Sequence, residues 1–209
     1  MGVCVLVLGY SASGKSYSLR NFEPDEVGIF NVVGKPMPFR KKLPMLNRST
    51  YRQIHEGLAA NKRHAYVIDD ANYLMAFQNF SLVRQKGYDK FTQMAYDFEQ
   101  MLEATLATDD DTIVYIMMHV EDENGRIKPK TIGKMLDNQL CIEGLVSIVL
   151  MADKDDDGYF FLTNSMDDNP VKSPPGMFDQ RIDNDLKMVD TTIRDYYDMA
   201  PLTAQKEGK

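Results

Sequence analysis

The sequence holds only two cysteines, Cys4 and Cys141. No disulfide framework can brace such a fold, and the chain suits a reducing compartment. Long apolar runs are missing as well. The first run, Val3 to Leu8, has no basic leader and is too short for a signal-peptide core, and no later run approaches the ~20 residues a membrane span needs. The Met1-Gly2 start lacks the Ser or Thr at position 6 that myristoylation requires, since Leu6 stands there. These absences predict a protein of the cytoplasm without a membrane contact. Basic residues are also in deficit, 24 against 31 acidic ones, a net charge of −7. The surface as a whole therefore repels nucleic acid, and any DNA contact must come from a local basic patch. No internal repeat is visible.

What is present is an ordinary globular balance, 44% hydrophobic and 26% charged over 209 residues. That is enough for one domain, read here as residues 1–200 with a loose tail over 201–209. Val3–Leu8, Val27–Val33, Ala65–Asp70 and Thr112–Met118 are apolar, β-branched runs of the kind that parallel strands covered on both faces require. A short helix is predicted from Lys15 to Asn21, one from Thr50 to about Asn61 behind a Thr50/Gln53 capping box, and a long one over Asp89–Thr108. Leu145–Ala152 and Tyr159–Asn164 predict a hairpin, and Ile182, Leu186, Val189 and Ile193 mark the face of a last helix. Alternating strands and helices give an α/β fold with a mostly parallel sheet and an antiparallel extension.

Gly9-Tyr10-Ser11-Ala12-Ser13-Gly14-Lys15-Ser16 matches the phosphate-binding pattern G-x-x-x-x-G-K-[ST] in full, between a strand and a helix. Its backbone N–H groups can wrap the phosphates of ATP, Lys15 can reach the β- and γ-phosphates, Ser16 can ligate Mg²⁺, and Tyr17 follows directly. An acid that helps hold Mg²⁺ is expected at the end of a strand next to the P-loop strand. Asp69 fits, with Asp70 behind it to orient or deprotonate the attacking water; capping of the next helix is the other use for such a pair. His119 follows a strand at its carboxyl end, where open α/β sheets place ligands, and can sense the γ-phosphate. Asp153 to Gly158 imitates the start of a calcium loop, but Asn164 stands where glutamate is needed, so it reads as an acidic hairpin turn with Gly158 at positive φ. Arg126, Lys128, Lys130 and Lys134 form a basic segment, made flexible by Gly125 and Gly133. It is either a solvated loop or a track for the phosphates of single-stranded nucleic acid. The proline-rich stretch from Gly34 to Leu46, which includes Lys35, reads as a loop.

With these motifs and a late Lys172-Ser-Pro-Pro-Gly-Met-Phe178 in this order, the chain resembles RecA-like ATPases. In particular it is similar to the single-domain phage proteins grouped with single-strand annealing recombinases. The resemblance spans about Gly2 to Phe178 and implies a RecA-like P-loop core, ATP hydrolysis, DNA recombination or annealing, and location in a host cell's cytoplasm. It also implies a homo-oligomer, ring or filament, with ATP or ADP between subunits. Residues Glu121 to Lys134 would be the loop that binds single-stranded DNA. His119 would stand where RecA carries glutamine, and Lys172 would act as a catalytic group on a neighbouring subunit's nucleotide. RecA carries a catalytic glutamate after the P-loop helix, whereas this chain has Asn31-Val-Val there. A P-loop kinase and a packaging or assembly ATPase are the alternatives; kinases usually supply several arginines, and Arg181 and Arg194 are expected in or near a surface helix.

Overall fold

The computed structural model describes residues 2–85, 87–133, 136, 140–164 and 169–203. Among them are the strands β1 (Val3–Leu8), β2 (Val27–Asn31), β3 (Met45–Asn47), β4 (Ala65–Asp69), β5 (Ile113–Met118), β6 (Val120–Glu123), β7 (Arg126–Pro129), β8 (Ile148–Asp155), β9 (Gly158–Leu162) and β10 (Arg181–Asp183). The α-helices are α1 (Tyr51–Ala60), α2 (Asn72–Ser81), α3 (Asp89–Leu106) and α4 (Leu186–Tyr196). Eight strands form one sheet in the order β10-β9-β8-β1-β5-β4-β2-β3, and β6 pairs with β7 apart from it. From β8 to β3 all neighbours are parallel, while β9 and β10 extend the sheet antiparallel. The fold is thus α/β with a mostly parallel sheet, as the alternation of elements predicts.

Every residue of β5 is buried because β1 and β4 flank it and both faces are covered. Alternate side chains divide between two cores. Leu6, Leu8, Ile68, Val114 and Ile116 pack with Ile54 and Leu58 of α1 and with Met94, Phe98 and Met101 of α3. Val5, Val7, Val67, Tyr115 and Leu150 pack on the opposite face with Leu19, Phe22 and, from α4, Leu186, Val189 and Ile193. The Thr50/Gln53 capping box is present at the start of α1.

Several expectations need correction. The strand ending in Asp69 is not next to the P-loop strand: β5 lies between them, because strand order follows crossover connections rather than sequence neighbourhood. The helix after the P-loop is a six-residue 3-10 helix, Ser16–Asn21, whose aligned dipole is correspondingly short. Ile182 lies in β10 rather than in the last helix. In the tail, Leu202 is buried against the second core, and 204–209 lie outside the described residues. The Asp153–Gly158 segment is a hairpin turn between strands, with Gly158 at φ 125°.

Arg194, expected near a surface helix, is 3% exposed. Its Nε donates to Asp190 Oδ1 at 2.5 Å, and its terminal nitrogens donate to the carbonyls of Asp111, Ala200 and His64 at 3.0, 2.9 and 2.7 Å. Tyr115 completes the network by donating to Asp190 Oδ2 at 2.9 Å. A buried charge left without its partner is costly, so Asp190→Ala should destabilise the fold by about 3–5 kcal/mol. Tyr115→Phe, which removes one hydrogen bond, should cost about 1–3 kcal/mol. Urea unfolding of the two variants checks the order; equal losses would mean that the ion pair carries no special weight.

Candidate functional site

At the carboxyl edge of β1 the chain turns through Gly9–Ser16. Gly14 has φ 95°, and an added Cβ would lie 2.7 Å from the Tyr159 ring, so only glycine suits the position. A Cβ on Gly9 would reach 2.4 Å from Ser13 Oγ, which is itself buried without a hydrogen-bond partner. Lys15 folds back over the loop and donates to the carbonyls of Gly9 (2.7 Å) and Tyr10 (2.9 Å). Burial pulls its ammonium down to about 8, with Asp70 and Asp69 opposing and Lys35 adding to the fall. Tyr10, Ser11 and Ala12 form the exposed crest of the loop, and Tyr17 packs beside Tyr159 with centroids 5.4 Å apart.

The end of β4 supplies the acids. Asp69 accepts the Ser16 hydroxyl, with Oγ 3.0 and 3.1 Å from its two oxygens, and is fully buried. Burial and then the charge of Asp70 push Asp69 up to about 6, against Lys35, Ser16 and Lys15. Asp70 adopts φ 62°, a left-handed conformation that Asp tolerates better than most residues. Its Oδ2 lies 2.5 Å from Lys35 Nζ and its Oδ1 3.4 Å from His119 Nε2. Burial alone would raise Asp70, but hydrogen bonds from His119 and Lys35 and the Lys35 charge hold it below the ordinary carboxylate value. His119 is placed by the end of β5: its N–H donates to Asn72 Oδ1 at 3.2 Å and its ring edge meets Tyr73. The structure thus brings Lys15, Ser16, Asp69, Asp70 and His119 together.

One hydroxyl and one carboxylate make a hard-oxygen pair of the kind that suits Mg²⁺ when phosphates and waters complete the shell. Among the described residues no group of three or more His, Cys, Asp or Glu could hold a metal alone.

Two residues were not legible as parts of the site. Lys35 reads in sequence as one of several loop lysines. Asn31, noted in the sequence only as standing where the resemblance leads one to expect a glutamate, is fully buried and organises the loop: its Nδ2 donates to Lys35 O (2.7 Å) and Asn47 Oδ1 (3.0 Å), and its Oδ1 accepts from Gly34 N (2.8 Å).

The basic segment is largely a β6–β7 hairpin. Gly125 serves a tight turn rather than flexibility: Asn124 and Gly125 have φ 57° and 87°, and this Asn-Gly pair was the signal for a two-residue hairpin loop. Glu121 faces Lys128 and Glu123 faces Arg126 across the strands. Lys128 is ion-paired to Glu123 at 2.9 Å and Glu121 at 3.4 Å, whereas Arg126 and Lys130 are exposed; Lys134 lies outside the described residues. The hairpin is rooted at His119, whose carbonyl accepts Lys130 N at 2.8 Å. Lys172 stands apart. Its backbone forms an antiparallel bridge with Val149 of β8, and its charge opposes the rise that burial imposes on the Cys141 thiol.

No protein-family model and no curated protein matches this chain. Among the described residues no helix is long and apolar enough to cross a membrane.

Gly14→Ala should cost about 1–3 kcal/mol through backbone strain and the clash with Tyr159. Adding Tyr159→Ala removes the clash but not the strain, so part of the loss should return in thermal unfolding. A double variant less stable than the sum of the single changes would show that the ring does not oppose a side chain at this position.

Proposed function

We propose that this chain is a Mg²⁺-dependent P-loop ATPase with a RecA-like core, working as a homo-oligomer on single-stranded DNA in recombination or annealing. The observation that carries the reading is the Ser16 hydroxyl held against both oxygens of Asp69, directly behind a complete phosphate-binding loop. The orphaned Ser13 hydroxyl and the glycine backbone leave the loop suited to an anion.

Ser16 and Asp69 would hold Mg²⁺, which would supply charge to neutralise the nucleotide's phosphates. Lys15 leaves the Gly9 and Tyr10 carbonyls for their oxygens. A water oxygen bonds to the γ-phosphorus as the bond to the β,γ-bridging oxygen breaks. ADP departs with that electron pair, and the water's proton passes to Asp70. His119 touches Asp70 on one side and roots the β6–β7 hairpin on the other, so DNA on Arg126 and Lys130 can bias the acid pair. A kinase is disfavoured because its phosphoryl-binding arginines are engaged elsewhere: Arg181 pairs with Asp155 at 2.6 Å and stacks on Phe160, and Arg194 is buried.

Single-stranded DNA should stimulate ATP hydrolysis, and Lys15→Ala should abolish turnover with the fold retained. Replacing Arg126 and Lys130 together by Ala should flatten the salt dependence of DNA binding by about 0.7 in log–log slope per lost phosphate contact. An unchanged slope would leave the hairpin a solvated element, and a duplex or protein activator in place of single strands would favour a packaging or assembly ATPase.

Lys172, bridged to β8 at the flank of the sheet, is proposed to act on a neighbouring subunit's γ-phosphate. A group acting in this way is worth about 10³ or more in rate. Mixing Lys172→Ala with Lys15→Ala protein should restore part of the activity that each lacks alone. A co-assembled mixture that stays inactive would remove Lys172 from the mechanism.

A further inference from the structure

Lys35 has a hydrogen-bonded root and a half-exposed arm. Its carbonyl accepts the buried Asn31 amide, and Gly34 before it, at φ 77°, packs against Arg48 so closely that a Cβ would lie 2.9 Å from Arg48 Cγ. The side chain, by contrast, is 46% exposed although the Asp70 side chain it grips is 3% exposed. The ammonium, 2.5 Å from Asp70 Oδ2, thus lies beside the acids of the P-loop site, and its charge is felt by Lys15 and Asp69 as well. In this arrangement each oxygen of Asp70 already has a cationic or imidazole partner, Oδ1 His119 and Oδ2 Lys35, which compete with a water for its lone pairs.

We propose that Lys35 is a γ-phosphate-sensing cation that exchanges Asp70 for the terminal phosphoryl group of a bound nucleoside triphosphate. This inference rests on the nucleotide reading of the site and adds to it the group that tells triphosphate from diphosphate. The exchange breaks one ion pair and forms another: Lys35 leaves Oδ2 for an oxygen of the γ-phosphate, whose greater negative charge outbids a single carboxylate. Oδ2 then accepts a hydrogen bond from water. A diphosphate offers no terminal phosphoryl group at that point, so Lys35 stays on Asp70 and the acid remains occupied.

Calorimetric titration with Mg²⁺-ADP and with the Mg²⁺ complex of a nonhydrolysable ATP analogue tests this on the wild-type chain, Lys35→Met and Lys35→Arg. Methionine keeps length and loses charge. Losing one charge-assisted contact should weaken binding of the ATP analogue roughly 10- to 100-fold while ADP affinity stays within about twofold, which also reports a folded site. Lys35→Arg should recover most of the preference for triphosphate. An unchanged ratio of the two affinities in Lys35→Met, or an equal loss of both, overturns the proposal. A wild-type chain that binds neither ligand overturns the nucleotide reading itself, and this proposal with it.

Discussion

Two carboxylates side by side at the end of a buried strand repel one another, and their burial weakens the screening that solvent would give. Asp69 and Asp70 are in that position, and the surrounding groups divide the burden unequally. Asp69 receives one neutral hydroxyl from Ser16 and is pushed toward its protonated form, to about 6. Asp70 receives Lys35 and His119 and is held ionised. Two identical side chains one residue apart thereby differ in how readily they hold a proton, Asp69 more and Asp70 less. Asp70 itself sits in a left-handed turn, φ 62°, at the end of the strand.

The sheet order extends the influence of this pair. Because β5 pairs with both β1 and β4, its end delivers His119 beside Asp70. The same residue opens the β6–β7 hairpin through its carbonyl. A side chain on the acid and a backbone group on the hairpin thus belong to one residue, the shortest link a protein can build between a site and a neighbouring surface.

The parts legible in the sequence were those in which neighbours in the chain are neighbours in space. The loop Gly9–Ser16 and the pair Asp69-Asp70 are continuous, so their chemistry can be read from residue order. Lys35 meets Asp70 only through a parallel strand pair and a turn shaped by Asn31, and nothing in its own surroundings separates it from Lys41 or Lys42. The pairing within the hairpin was hidden for a related reason. Arg126, Lys128 and Lys130 count as a basic run until antiparallel register sets Glu123 opposite Arg126 and Glu121 opposite Lys128. Strand order escaped as well, since an apolar run declares itself buried without naming its partners. The apolar face of α4 was plain, but the burial of Arg194 was not, because a lone arginine in a helix gives no sign of the three carbonyls awaiting it.

The register of β1 bears on how the molecule comes into being. Val3 pairs with Ile113 and Val5 with Ile148. On a ribosome the first strand emerges long before either neighbour, and its run of valines and leucines must wait uncovered while α1, α2 and α3 are made. Non-local pairing of this kind slows folding and leaves sticky intermediates exposed. The last helix, α4, packs on the second face of the sheet, so that face gains its full cover only once α4 is in place.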